Sequence, residues 1–269
     1  MTNYTFEHLI SAVNADAPEL IEQMNLKTNA VLVNQQDRNY YHAFQYKEHT
    51  IQEFSFNERG VGLSRNSALQ RSTADICIVS DDDMVYEDNY IEKIQNAYRK
   101  NPEADMILFN VRIHENGEVK EKSNYNGRIH YLNSLKYGTV TFTFKRSTIL
   151  KNRIAFSLLF GGGAPFSNGE DNLFLWDCLR AGMNVFANGQ VIADVYNEQS
   201  SWFEGYNEKF FLDRGALFEA LSSRYSTLLI YQYALRSKDL FKQEVSVKKA
   251  ISLMKKGKRN YREEDFNDA

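Results

Sequence analysis

Four apolar residues, Ile76-Cys77-Ile78-Val79, run through Ser80 straight into three consecutive aspartates, Asp81-Asp82-Asp83. A short apolar run of this kind reads as a buried strand. Its end must reach water or a cation, because packed carboxylates repel one another until something positive neutralises them. Hard oxygen ligands of this type suit Mg²⁺ or Mn²⁺, ions that usually arrive with a phosphate. The competing reading is a solvated acidic turn that simply stops a strand.

The surrounding segments alternate between extended and helical patterns. Residues 8–13, 29–33 and 50–56 read as strands, and 18–24 and 65–72 as helices. Strands separated by helices predict a parallel sheet with crossover connections, in which ligands gather at the carboxyl ends of strands. The aspartate triplet stands at one such end. Downstream, 90–100 is a predicted helix stopped by Pro102, 106–113 a strand, and Glu115-Asn116-Gly117-Glu118 a turn. Residues 140–144 alternate Thr with apolar residues, as a half-buried strand does. Gly161-Gly162-Gly163 is a flexible or close-approach segment, followed by a helix over 172–180 and two short strands, 185–187 and 190–195. From Phe210 onward the spacing is helical. The predicted organisation is one α/β domain over 1–208 and a helical carboxyl-terminal extension over 209–269.

Composition excludes several classes. Hydrophobic residues make up 43% of the 269 and charged residues 25%, as in soluble globular proteins. Cys77 and Cys178 lie far apart without metal-ligand spacing, which predicts buried free thiols in a reducing compartment. The amino terminus lacks a basic segment followed by an apolar one, and no apolar stretch is long enough to span a bilayer. A cytoplasmic protein is expected. The net charge of −3 hides an asymmetry, since ten Lys or Arg and two acids lie between Arg236 and Arg262. That stretch is either a solvated helical face or a peripheral contact with the inner face of a membrane. No nucleic-acid motif accompanies it, so no nucleic-acid partner is expected.

Four segments, Gly62-Leu63-Ser64-Arg65-Asn66-Ser67-Ala68, Ile78-Val79-Ser80-Asp81-Asp82-Asp83, Glu87-Asp88-Asn89-Tyr90-Ile91-Glu92-Lys93 and Gly169-Glu170-Asp171-Asn172-Leu173-Phe174, stand in this order along the chain. Together they resemble the inverting family 2 glycosyltransferases with a GT-A fold. The resemblance covers roughly residues 8–200 and rests on order and spacing, since any one short motif is weak. It implies a Rossmann-like mixed sheet flanked by helices. It also implies a nucleotide-sugar donor, a saccharide or lipid-linked saccharide acceptor, and surface polysaccharide synthesis.

By the same resemblance, Asp83 is the ligand of a Mn²⁺ or Mg²⁺ ion, with Asp81 at the metal or the donor ribose and Asp82 helping to hold the donor. Arg65 lies near the nucleotide, and Val13, Asn14, Asn34 and Gln36 end the first two strands beside it. Asp171 is the general base, with Glu170 as the fallback; both equally suit a helix amino terminus, where carboxylates are favoured. Gly162 approaches the donor sugar or acceptor, and Trp202 stacks on a sugar face or joins the core.

There are departures. The first strand keeps only Ser11-Ala12-Val13-Asn14 of the family's signature, and the second ends in Asn34-Gln35-Gln36 where the family has an acid. No His follows His130 to complete a metal site. A sugar nucleotidyltransferase is the first alternative, but residues 14–20 contain no Gly, Lys or Arg to hold a triphosphate. A non-catalytic nucleotide-sugar-binding module is the second.

Overall fold

The computed structural model describes residues 3–115, 117–196 and 205–263. Two compact units divide the chain: Met1–Phe156 with Phe174–Gln199, and Ser157–Leu173 with Ser200–Ala269.

The first unit begins β1 (Phe6–Val13), α1 (Ala17–Gln23), β2 (Asn29–Gln35), β3 (Tyr40–Tyr46), β4 (His49–Phe56), α2 (Val61–Arg71), β5 (Ile76–Asp81), β6 (Met84–Tyr86) and α3 (Tyr90–Lys100). It continues with β7 (Met106–Glu115), β8 (Glu118–Glu121), β9 (Gly127–Arg128), α4 (Tyr131–Ser134), β10 (Phe142–Lys145), α5 (Arg146–Lys151), α6 (Glu170–Arg180) and β11 (Val185–Tyr196). The first turn of α6 falls in the second unit and the rest in the first. The strands form one mixed sheet in the order β3-β4-β2-β1-β5-β10-β7-β11-β6, with β8 on β7 and β9 on β11.

Both faces of the sheet are covered, which is why its strands read as continuous apolar runs. Ile10, Leu32, Ile76 and Ile78 pack with Leu20 and Ile21 of α1 and Ile94 and Tyr98 of α3. Leu9, Val31, Cys77 and Val79 pack on the other face with Leu69 of α2, Ile149 of α5 and Phe174 of α6. Cys77 and Cys178 are buried free thiols, and burial pushes Cys77 up to about 12.

The chain runs β1 to β2 in one direction and returns to β5 on the other side of β1, all three parallel. That change of direction opens a crevice at the carboxyl ends. The register sets Ser11 beside Asp81 and Val13 beside Gln35, so the ends of β1, β2 and β5 share one edge.

Three elements differ from the sequence reading. β10 is buried on both faces rather than one, because it fills the centre of the sheet between β5 and β7, antiparallel to both. The hydroxyl of Thr143 is satisfied there by the Ile107 carbonyl (2.9 Å) and Tyr98 Oη (3.1 Å). The two short strands expected after Asn184 are one strand, β11, interrupted by register shifts near Val191. β3 is an additional strand, antiparallel to β4 through a turn at Lys47 (φ 55°).

In the second unit, α7 (Glu208–Leu221), α8 (Ser226–Arg236), α9 (Lys238–Phe241) and α10 (Val247–Glu263) follow one another. α7 is its centre, with Phe211, Ala216, Leu217 and Leu221 fully buried. α7 and α10 touch backbone to backbone. A Cβ on Gly215 would lie 1.9 Å from the Met254 carbonyl oxygen, and one on Gly257 would lie 1.9 Å from that of Leu212. Glu219 of α7 is buried and accepts from Arg262 Nε of α10 at 2.5 Å. No helix among the described residues is long and apolar enough to cross a membrane.

Candidate active site

β5 ends at Asp81, Asp82 and Asp83 form a two-residue turn, and β6 leads away. The turn is held from several sides. Val13 N–H donates to Asp82 Oδ2 at 3.3 Å, tying it to the end of β1. Arg65, buried in the middle of α2, donates from Nη2 to Asp81 Oδ1 at 2.7 Å. The Arg65 guanidinium also lies 5.6 Å from the Phe156 ring centre. Tyr196 N–H donates to the Asp83 carbonyl at 2.9 Å. β6 itself pairs antiparallel with β11, Val195 opposite Met84 and Ala193 opposite Tyr86.

Asp83 is the electrostatically strained member. Its carboxyl is pushed up to about 7, by burial first and then by the charges of Asp81 and Asp82. Its Oδ1 is buried with no hydrogen-bond partner among the described residues. A buried orphan carboxylate oxygen beside two more carboxylates is what a hard divalent cation would satisfy, so the residues fit Mg²⁺ or Mn²⁺. Among the described residues no group of three or more His, Cys, Asp or Glu side chains is arranged to hold a metal. Asp83 would be the principal protein ligand, with phosphate oxygens and water filling the shell, a common arrangement for Mg²⁺.

A cleft of about 480 Å³ lies beside the turn, walled by Gln23, Met24, Asp82, Asp83, Met84, Val85 and Tyr196. Asp82 and Asp83 therefore face the cleft, while Asp81 is engaged by Arg65. Arg65, Asn14, Asn34 and Gln36 are not among its walls.

Asn14 takes a left-handed conformation (φ 52°), which Asn tolerates, and donates from its backbone to Gln35 at 3.1 Å. Val13 is 43% exposed at the same edge. Asn34 differs from the sequence reading. It is fully buried; its Nδ2 donates to the Ala15 carbonyl (2.8 Å) and to Glu53 Oε1 (3.0 Å), and its Oδ1 accepts from Ala15 N–H (3.1 Å). Its amide is spent on the turn after β1 and presents no edge to a base. Gln36 lies beside it, with Nε2 3.3 Å from the Ala15 carbonyl.

Beneath the turn runs a buried polar chain that sequence reading missed. His8 Nδ1 pairs with Ser80 Oγ, and His8 Nε2 with Tyr90 Oη, both at 2.8 Å. Ser80 Oγ also meets Tyr86 Oη at 2.8 Å. Burial lowers His8 to about 3, so the ring is neutral. On the β11 side, Arg112 grips Asp194 through two 2.8 Å bonds and reaches Glu87 Oε1 at 2.7 Å. His114 shares Asp194 and stacks on Tyr196, ring centres 4.5 Å apart. Two tyrosines four apart and a His in an apolar run were the available signals; nothing in the sequence marked Tyr196.

In the second unit, Glu170 and Asp171 form the first turn of α6 and are half-buried. Asp171 Oδ1 accepts from Asn172 N–H at 2.6 Å. The preceding loop is pinned to α7. Ser167 donates to Asp213 Oδ2 from backbone (2.9 Å) and hydroxyl (2.7 Å), and Lys209 joins the same oxygen at 2.6 Å. Gly169 (φ 114°) packs so close to Leu217 that a Cβ would lie 2.5 Å from its methyl. Gly162 is buried in this loop, and Trp202 lies outside the described residues.

Residues 21–160, just over half of the chain, match the model of the family described as Glycosyl transferase family 2. The chain has no significant match among curated protein sequences. Among solved structures, S. aureus TarS 1-349 in complex with UDP-GlcNAc is similar with a TM-score of 0.63 at 11% identity, covering 89% of this chain and 74% of that one. The same fragment in complex with UDP gives 0.60 at 12% identity, covering 89% and 73%. A longer S. aureus TarS chain gives 0.58 at 13% identity, covering 87% of this chain and 43% of its own length. These likenesses establish the GT-A fold.

Proposed function

The chain belongs to glycosyl transferase family 2 and is a glycosyltransferase, and from that premise we propose that it moves one sugar, with inversion, from a nucleoside-diphosphate donor to a saccharide or lipid-linked saccharide. The observation that carries the finer reading is the aspartate turn at the carboxyl end of β5, where Asp83 keeps a buried oxygen without a partner among the described residues. A Mg²⁺ or Mn²⁺ ion held there by Asp83, with Asp81 adjoining, would supply the positive charge that steadies the departing diphosphate. Arg65 fixes Asp81, and the Val13 N–H fixes Asp82, so both carboxylates keep one orientation as donor enters.

Transfer forms a bond from the acceptor oxygen to the anomeric carbon as the bond from that carbon to the phosphate oxygen breaks. The acceptor proton goes to a carboxylate, Asp171 in this reading, with Glu170 as the fallback. UDP-GlcNAc, the ligand bound by S. aureus TarS, is the first donor to try. Surface polysaccharide synthesis in the cytoplasm, with the basic carboxyl-terminal stretch at the inner face of a membrane, belongs to the same reading.

The test is thermal unfolding with a panel of nucleotide sugars, with and without Mn²⁺. A ligand that binds the native state raises Tm by mass action. One donor should stand out, and only with the ion present. Equal response to every compound, or none to any, defeats the reading. Binding without hydrolysis or transfer to any acceptor would instead mark a nucleotide-sugar-binding module.

A further inference from the structure

Helix α8 turns a row of apolar side chains outward. Ile230 and Ala234 are fully buried in the second unit, which fixes the opposite face toward solvent. On that face Leu228 is 64% exposed, Tyr231 41% and Leu235 62%, at positions i, i+3 and i+7. Tyr225 just before the helix and Leu240 in α9 are exposed as well. Single exposed leucines are ordinary, but a row along one helix face marks an interaction surface.

The flank of this row is cationic. α8 contains no Asp or Glu. Lys255 Nζ of α10 donates to Tyr231 Oη at 2.8 Å, and Lys258 Nζ to Thr227 Oγ1 at 2.7 Å, so α10 lies alongside the row. Lys248, Lys255 and Arg259 are exposed and recur at i, i+7 and i+11, one stripe of α10. From Arg224 to Arg262 eleven Lys or Arg stand against two acids, Asp239 and Glu244.

We propose that this face of the second unit docks on an anionic bilayer surface, with Leu228, Tyr231 and Leu235 entering the boundary between headgroups and acyl chains while the α10 cations meet lipid phosphates. The proposal deepens the reading above and rests on it for a lipid-linked acceptor, though not for the docking itself. Charge decides among occupants. A second copy docked through the same face would set one cationic surface against its twin, which repels. A nucleic acid would use the cations and leave the leucines in water. An anionic interface takes both, as amphipathic helices with a basic flank do.

The test is co-sedimentation of the full chain with vesicles of phosphatidylcholine alone and of phosphatidylcholine mixed with phosphatidylglycerol. Binding to the anionic vesicles, weakened by salt, is expected. Leu228→Ser with Leu235→Ser should weaken it by roughly tenfold or more, since two inserted leucines are lost. Lys248→Ala with Arg259→Ala should weaken it by a similar roughly tenfold factor at low salt and much less at high salt. Both pairs face outward, and an unchanged Tm checks that they fold. No vesicle binding by the parent chain, or binding that survives both pairs, overturns the proposal. So does a dimer in sedimentation equilibrium that the leucine pair dissociates while vesicles go unbound. UDP stabilisation measured on the same samples separates the two readings. If it persists while vesicle binding is absent, only the docking surface is rejected; if vesicles bind and no nucleotide stabilises, only the donor reading is.

Discussion

Arg65 donates to Asp81 at 2.7 Å from a position almost wholly buried inside α2. The first carboxylate of the triplet is thereby matched to a fixed cation, and the unmatched charge falls on Asp83. Arg65→Met would leave Asp81 without that cation beside two other carboxylates. It should cost about 1–3 kcal/mol of stability, discounted because Asp81 is partly exposed. Donor binding should weaken by roughly tenfold or more, one charge-assisted contact's worth. Chemical denaturation and nucleotide titration measure the two separately. Arg65→Lys should recover part of each, because a point charge replaces a planar fork.

Asp83 gives a pH signature. Its folded carboxyl sits near 7, above the ordinary range near 4. Between those values the folded state holds a proton that the unfolded state has released. Metal-free stability from this group is therefore present at low pH and lost as pH rises toward about 7. Asp83→Asn removes that penalty. Its Tm relative to the parent should rise as pH goes from 4.5 to 8, reaching roughly 2–4 °C above the parent. The same substitution should abolish the Mn²⁺ dependence of nucleotide binding. A Tm difference flat across that range would contradict the assignment.

Asp171→Asn should leave donor binding intact and reduce turnover by roughly a hundredfold or more, the scale of a lost general base. Glu170→Gln should cost much less if the roles are as proposed. Single-turnover transfer with each variant, set against isothermal titration of donor, distinguishes the two. Unchanged turnover in Asp171→Asn would make Asp171 a helix-capping residue instead, and a loss confined to Glu170→Gln would move the base to Glu170.

Gly215→Ala and Gly257→Ala should each destabilise the second unit by about 2 kcal/mol or more, since the new methyl meets a rigid carbonyl rather than a side chain that can move. Thermal unfolding measures the cost. A nucleotide sugar that stabilises the parent chain should still stabilise the first unit of either variant, because the aspartate turn lies entirely within it.

The position of the aspartate triplet at a strand end was legible in sequence where chemistry and pattern coincided. Ile76-Cys77-Ile78-Val79 could only be buried, and the charges after it could only lie at an edge; β5 is buried through Ser80 and ends at Asp81. The inward direction of Asn34 was not legible for the converse reason. In a strand buried on both faces, period-two alternation does not tell which way a terminal polar residue points, and this one points inward. β3 escaped notice because an edge strand shows water most of its residues, so it carries no apolar signature. β6 is three residues long and exists because β11 pairs with it, a contact more than a hundred residues distant in the chain. His8 was hidden by its neutrality: a histidine tied to Ser80 and Tyr90 behaves as a core residue.

β10 has a consequence for synthesis. It is the only described strand hydrogen-bonded to both β5 and β7, which emerge before it and do not pair with each other. On the ribosome both strands therefore wait with an open edge until Lys145 has been made, and open edges are where nascent chains misassociate. A chain stalled before that point should depend on a holding chaperone more than one that has also completed β11, which closes the other edge of β7.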